Sequence, residues 1–261
     1  MIATKPLRRL AWVLCAAWLV SGCASTQGPK DPRDPWEGYN RAVFQFNEGV
    51  DKAVLKPVAR GYVAVTPSPV RTSIGNFFAN LGDVTNLFNN VLQLKFESAL
   101  TDLGRITYNT TFGLLGVIDV ASHMDLPKNN EDFGQTLGTW GVPAGPYFML
   151  PLLGPSTVRD TPSRYVDART NPLYYYDNHG RRNTLTGVNI IHTRAGFLST
   201  EQALEGMADD RYTALRDFYL QRREYLVHNG EPQGRDRSAD LFDELEALEA
   251  LEADEAAEQA R

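Results

Sequence analysis

Apolar residues recur at helical spacing along most of the chain. Asp34 and Pro35 suit an N-cap and a first-turn position, and Trp36, Tyr39, Val43, Phe46, Val50 and Val54 then predict a helix with an aromatic face. Pro57, Pro67 and Pro69 predict breaks. Ser68-Pro69 opens a second helix carrying Val70, Ile74, Phe77, Phe78 and Leu81, punctuated at Gly82-Asp83. The apolar rhythm continues through Val84, Leu87, Phe88, Val91 and Leu92, then Phe96, Leu100, Leu103 and Ile106, so helix follows helix across short joints. Residues 111–124 (TFGLLGVIDVASHM) are apolar except for Asp119 and His123 and are too short to span a bilayer; they predict a buried helix, with an interfacial one as the alternative. Ser156 or Thr157 is placed to cap a polar helix towards Ala168, which Asn171-Pro172 ends before the cluster Tyr174, Tyr175, Tyr176. Arg181 and Arg182 precede Leu185, Val188, Ile190 and Ile191, and Ser199-Thr200-Glu201-Gln202 has the form of a capping box. A final helix places Tyr212, Leu215, Tyr219, Arg223 and Leu226 on one face, with Asp209 as its cap and Asn229-Gly230 as a left-handed stop. No strong alternating strand pattern interrupts this series, so the fold class is mainly α.

One stretch departs from the helical rhythm. In the stretch from Asp132 to Asp160 (DFGQTLGTWGVPAGPYFMLPLLGPSTVRD) no acidic or basic residue stands between Asp132 and the closing Arg159-Asp160 pair, while Gly134, Gly138, Gly141, Gly145 and Gly154 are interspersed with Pro143, Pro146, Pro151 and Pro155. Neither a spanning helix nor a continuous strand is expected to run through it. Exposed loops are normally polar, so a wall facing lipid and a soluble core segment with tight turns are the two readings its composition allows.

The beginning of the chain favours the first. Lys5, Arg8 and Arg9 precede an apolar run from Leu10 to Val20, and Ser21, Gly22 and Cys23 follow, in the order of a basic region, an apolar region and a small-residue cleavage site. Leu-Val-Ser-Gly-Cys resembles the bacterial lipobox, which makes residues 1–22 a lipoprotein signal peptide and Cys23 the acylated anchor. Ala24, rather than an aspartate, follows the cysteine, and the usual sorting rule then implies the outer membrane. Residues 23–33 read as a flexible tether. The other cysteine, Cys15, leaves with the signal, so no thiol remains for a disulfide, a metal or redox chemistry. The chain carries 26 Lys plus Arg against 32 Asp plus Glu, but nine of the acids lie beyond Ser238 in an acidic, leucine-striped tail over 231–261. What remains is nearly neutral, with no electrostatic footprint for nucleic acid.

Catalytic constellations are lacking. There is no G-x-S-x-G elbow, no H-E-x-x-H and no phosphate-cradling G-x-x-x-x-G-K-[ST]. His123, His179, His192 and His228 are scattered, so the sequence suggests neither an enzyme nor a metal or cofactor site. Five segments instead carry a family resemblance: DPWEGYNRAVFQFN (34–47), SIGNFFANLGD (73–83), DFGQTLGTWG (132–141), GPYFMLPLLGPSTVRD (145–160) and YLQRREYL (219–226). Together, behind a lipobox, they strongly resemble the MlaA, or VacJ, lipoproteins over 34–230. One departure is Leu94, where glycine is expected after the Leu-Gln pair.

The resemblance implies a single helical, ring-like domain with Gly/Pro-rich irregular segments, embedded in one leaflet of the outer membrane on its periplasmic side. An amphipathic channel would remove phospholipid mislocalised to the outer leaflet, beside a trimeric porin, and pass it to a soluble periplasmic lipid carrier. A porin-associated scaffold without lipid transport is the competing reading, and a lipid hydrolase a more distant one. Tyr147, Phe148, Leu150, Leu152 and Leu153 are the expected borders of the lipid path, and Arg181 or Arg182 could meet a lipid phosphate. Asp34, Glu37, Asn40, Arg41, Gly141, Gly145, Pro146, Gly154, Arg159 and Asp160 are expected to be structural, with Glu37-Arg41 and Arg159-Asp160 as intramolecular ties.

Overall fold

The computed structural model describes residues 31–204 and 210–230. It is mainly helical: α1 (Glu37–Val50), a π-helical turn (Asp51–Leu55), α2 (Lys56–Val65), α3 (Ser68–Leu92), α4 (Phe96–Thr111), a 3-10 turn (Ala121–Met124), α5 (Phe133–Thr139), strands β1 (Tyr147–Leu150) and β2 (Gly154–Thr157), α6 (Asp160–Thr170), a 3-10 turn (Pro172–Tyr175), α7 (His179–Gly196), α8 (Leu198–Leu204) and α9 (Arg211–Val227). Two compact units meet in sequence at Leu220 and Gln221. In the second, Asn229 and Gly230 have φ of 55° and 89°, and the Gly230 N–H donates to the Tyr225 carbonyl at 2.9 Å, the left-handed stop expected there.

Several expected boundaries move, each for a physical reason. Pro57 does not break the chain, because the preceding turn widens to a π-helix and α1 passes into α2 without a loop. Asp34 does not cap α1, which begins at Glu37 without a side-chain cap; its buried carboxylate instead accepts from Asn40, Tyr212 and Arg216. Gly82-Asp83 does not interrupt α3, because Asp83 is buried in an ion pair that holds the helix through that point. Ser199 lies inside α8, and Glu201 is engaged by Lys56 and Arg194 rather than closing a capping box. Asp209 lies outside the described residues, and Asp210 accepts from the Tyr212 and Thr213 N–H groups at the start of α9. Thr157 does help to start α6, its Oγ1 accepting from the Asp160 N–H at 3.1 Å.

The uncharged central stretch holds the unforeseen element, a β-hairpin. β1 and β2 pair antiparallel with Tyr147 opposite Thr157 and Leu150 opposite Gly154, and Leu152 (φ 62°) and Gly154 (φ 79°) make the reversal. Four-residue strands are too short for period-2 alternation to stand out against the apolar run. The free edge of β1 is covered by α1: Asn40 donates to the Tyr147 carbonyl (3.2 Å) and accepts from the Met149 N–H (2.8 Å). One heptad later, Asn47 donates to the Leu150 carbonyl (3.0 Å) and accepts from the Leu152 N–H (2.7 Å). Two asparagines on one helical face thus imitate a neighbouring strand, which satisfies an edge that would otherwise invite pairing. Because Met149 N–H turns to Asn40, the Met149–Pro155 pair exchanges no ladder bond, and a proline is tolerated opposite it.

Candidate functional site

The packing of α3 against α4 is inverted with respect to a water-soluble protein. Among the described residues the buried hydrophobic set is Ala59, Ala99, Ala121, Tyr147, Met149 and Tyr212, while Asn80, Asp83, Asn86, Asn89, Asn90, Gln93, Asp102, Arg105 and Asn109 are all buried. The polar residues occupy facing stripes of α3 and α4 and bond to one another and to the segments after α4, while Asn80 Oδ1 and Asn90 Oδ1 are buried without a partner among the described residues. Asn90 donates to Asp102 (2.7 Å), Asn80 to Thr110 (3.1 Å), and Arg105 pairs with Asp83 (3.3 Å). On the outer side Val91, Leu94 (71% exposed), Phe96 (63%), Leu100 (69%) and Leu103 are open. A contiguous apolar exterior over a hydrogen-bonded polar interior is costly in water and suits a lipid surround.

The segment after α4 corrects the expectation of a buried helix. Residues 112–118 form an irregular loop in which Phe112, Leu114, Leu115 and Ile118 are exposed, and the 3-10 turn from Ala121 to Met124 is the only helical part. Leu114 and Leu115 both sit in left-handed conformation (φ 53° and 60°), a strained backbone for leucine. Asp119 holds this loop down, both of its carboxylate oxygens accepting from the one nitrogen Arg105 Nη2 (3.1 and 3.0 Å), with further bonds from Asn109 and Ser122. Burial raises the Asp119 pKa, but bonds from Ser122, Asn109 and Arg105 outweigh it and hold the carboxyl at about 2. Leu94, at the expected glycine position, also has positive φ (60°), which is the physical reason glycine belongs there.

An amphipathic cavity of about 560 Å³ opens between α3, α6 and α7. Phe78, Leu81, Leu173 and Tyr174 form its apolar part, and Thr85, Asn86, Thr186 and Asn189 its neutral polar part. Its two acids are already engaged: Glu131 by Lys95 and Gln93 (both 2.9 Å), Asp167 by the Phe133 N–H (2.9 Å) and Asn89 (3.2 Å). Arg182 also lines it; its Nη1 donates to the Tyr174 carbonyl at 3.2 Å, and among the described residues no carboxylate pairs with it. The arrangement can take an apolar group and an anionic group side by side.

Sequence-derived candidates divide on this structure. Tyr147 is fully buried against Tyr212 and Tyr219, so it faces protein rather than a lipid path. Phe148 stacks on Tyr39 (5.3 Å between centroids) and meets Trp36 edge-on, Leu150 is half-buried, and Leu152 and Leu153 project from the hairpin turn. Arg182 reaches the cavity, whereas Arg181 is exposed in the first turn of α7, where Asn178 accepts from its N–H. Arg41 pairs with Glu37 (2.7 Å) and Asp210 (2.6 Å) and lies over the Tyr212 ring; Arg159 pairs with Asp160 (2.9 Å) and donates to the Val142 carbonyl. Gly141 and Gly145 take left-handed turns, and a Cβ on Gly145 would stand 3.2 Å from Val158. Pro146 offers its carbonyl to the Val158 N–H. Cys23 lies outside the described residues, as does the acidic tail. The asparagine stripe was missed, although its spacing through Asn76, Asn80, Asp83, Asn86 and Asn90 is a helical signal in itself. No helix is long and apolar enough to cross a membrane, and no metal-holding cluster occurs, both among the described residues.

Comparison with known proteins adds independent support. The family described as MlaA lipoprotein matches residues 32–226. The chain is 34% identical over 247 residues to the intermembrane phospholipid transport system lipoprotein MlaA of Shigella flexneri, covering 91% of this chain and 96% of that one. It is 33% identical, with the same coverage, to the protein of that name from Escherichia coli (strain K12). An uncharacterized protein of Rickettsia conorii is 32% identical over 212 residues, covering 81% of this chain and 84% of its own length. A solved structure described as "Structural basis for maintenance of bacterial outer membrane lipid asymmetry" superposes with a TM-score of 0.66 at 34% identity, covering 74% of this chain and 98% of that one. With the fold and the motif segments in agreement, this chain belongs to the MlaA lipoprotein family.

Proposed function

We propose that this chain is an outer-membrane lipoprotein, acylated at Cys23 and seated on the periplasmic side as a ring-like domain in one leaflet. It draws phospholipid out of the outer leaflet through an amphipathic passage and releases it to a soluble periplasmic carrier beside a trimeric porin. No bond is made or broken in this cycle; shape and solvation do the work. The observation that carries the reading is the inverted α3–α4 pair next to the α3–α6–α7 cavity, an apolar exterior for acyl chains around a polar lining for a head group. Relatives named for intermembrane phospholipid transport support it. Arg182 is the residue placed to meet the lipid phosphate, as a charge-assisted donor without a carboxylate partner among the described residues.

The test is complementation of a cell lacking this chain, scoring phospholipid exposed at the cell surface and survival in detergent with EDTA. Wild-type chain should restore both. Arg182→Glu, which places a repelling charge in the cavity, should accumulate at normal levels in the outer membrane yet leave surface phospholipid high. Full restoration by Arg182→Glu would defeat the assignment of this cavity and favour a scaffold role.

A further inference from the structure

A second cavity, about 520 Å³, lies where α2, the start of α3, α7 and α8 come together. Its walls hold Lys56, Arg60, Arg71 and His192, with Ser199 as a neutral donor, Val63, Ala195 and Leu198 as apolar patches, and Glu201 as the one acid. The acid is already shared: Glu201 bonds Lys56 (2.9 Å) and Arg194 (2.6 Å), and Arg194 also forks onto Asp51 (2.6 and 2.8 Å). Arg71 uses Nη1 to hold the Val63 and Thr66 carbonyls (3.1 and 2.5 Å) at the end of α2, which fixes the guanidinium in place and leaves its other N–H groups to a ligand. Among the described residues no carboxylate pairs with Arg60 or Arg71. Tyr62 bonds His192 Nδ1 at 3.1 Å, and Gly75 gives the ring room, since a Cβ there would lie 2.8 Å from Nε2. Val70 and Phe197, adjacent in sequence to wall residues, and Val65, two positions beyond Val63, are exposed.

We infer that this cavity is a phosphate-binding site, held by Arg60 and Arg71 with Lys56 and Ser199 at its edge, that takes the phosphate of an acidic lipid or free inorganic phosphate. A fixed guanidinium and a second one without a carboxylate partner match phosphate oxygens better than any neutral ligand, and the negative charge of Glu201 is offset by Lys56 and Arg194. The apolar side chains flanking the cavity favour the lipid-borne source. The cavity is separate from the one holding Arg182, and the inference uses the membrane placement proposed above only to name where the lipid would come from.

The test uses the full-length lipoprotein in detergent with two probes, dioctanoyl phosphatidic acid and inorganic phosphate, and dioctanoylglycerol as the phosphate-free control. Arg60→Gln and Arg71→Gln should each weaken binding of at least one phosphate probe roughly tenfold to a hundredfold, the loss of one charge-assisted contact. Lys52→Gln, which removes the same charge outside the cavity, should stay within about twofold of wild type. Phosphatidic acid binding without inorganic phosphate binding assigns a lipid ligand; equal competition by inorganic phosphate assigns the free anion. Circular dichroism guards against a misfolded Arg71→Gln, in which case the exposed Arg60 decides. Binding of neither probe, equal binding of dioctanoylglycerol, or binding indifferent to Arg60→Gln overturns the site. Binding that survives Arg60→Gln but is lost in Arg182→Glu moves the ligand to the other cavity and overturns the inference while leaving the proposed function standing.

Discussion

The inverted surface of α4 makes a prediction opposite to that for a water-soluble helix. Leu100 is 69% exposed, on the side of α4 away from buried Asp102 and Arg105. In a soluble protein Leu100→Asp touches nothing and shifts stability by no more than about 0.5 kcal/mol. If the same face lies against acyl chains, the substitution loses apolar contact and places a carboxylate in a low-dielectric slab. Such a charge costs roughly 2.5–3.5 kcal/mol at the bilayer centre and less towards the interface, so about 2–3 kcal/mol is expected here. At 1.4 kcal/mol per factor of ten, vesicle partitioning should fall roughly 30- to 150-fold. The assay is equilibrium flotation with phospholipid vesicles, in the unacylated Cys23→Ala background so that the anchor does not mask the change. Unfolding in detergent serves as the stability control. The interior residue Asn90→Leu should show the reverse pattern: partitioning unchanged, and stability lower by about 1–3 kcal/mol, because Asp102 loses its 2.7 Å donor inside the protein. If Leu100→Asp and Phe96→Asp both partition within twofold of wild type, this face does not meet lipid and the reasoning fails.

Two further substitutions address the backbone and the buried charges. Leu94→Gly relieves a left-handed leucine at φ 60°, partly offset by the entropy glycine adds to the unfolded chain, so stability in detergent should rise by about 0.5–1 kcal/mol; a fall on chemical denaturation would contradict this reading. Asp119 has its folded pKa depressed to about 2, so its stabilising contribution is complete above the unfolded value near 4 and is lost as pH falls through 2. The stability difference between wild type and Asp119→Asn should therefore shrink by about 1–2 kcal/mol between pH 5 and pH 2, the figure reduced for partial exposure, and a difference independent of pH would show that the Arg105–Asp119 ion pair does not hold the loop.

Much of the helical framework was legible in the chain, because periodicity reports which residues share a face. It does not report which face is inside. Val91, Phe96, Leu100 and Leu103 are spaced like core residues, and only the matching stripe of Asn80, Asp83, Asn86 and Asn90, read as a second face with its own rhythm, would have shown that the interior is the polar side. The hairpin was hidden for a different reason: its edge is completed by Asn40 and Asn47, far away in sequence, so no local pattern marks it. Pro57 misled because a π-turn can absorb a proline that an α-helix cannot. Leu94 was legible as an anomaly, and its positive φ gives the reason. Of the site residues, Arg182 was within reach of sequence, whereas Phe78, Leu81 and Thr186 join it only through the packing of α3 beside α7.

The central claim is that phospholipid passes through the interior of this protein and does not merely surround it. A photo-crosslinking side chain placed singly at Phe78 and Leu173 inside the α3–α6–α7 cavity, at Leu100 on the outer face of α4, and at Phe148, Leu150 and Leu152 on the hairpin, in cells with labelled phospholipid, separates the two. The account predicts phospholipid adducts at Leu100 and at one or both of Phe78 and Leu173, in protein that remains folded and membrane-bound. Adducts at Leu100 alone, with only protein crosslinks at the cavity positions, would contradict it and leave a lipid-embedded scaffold with no lipid path in this cavity.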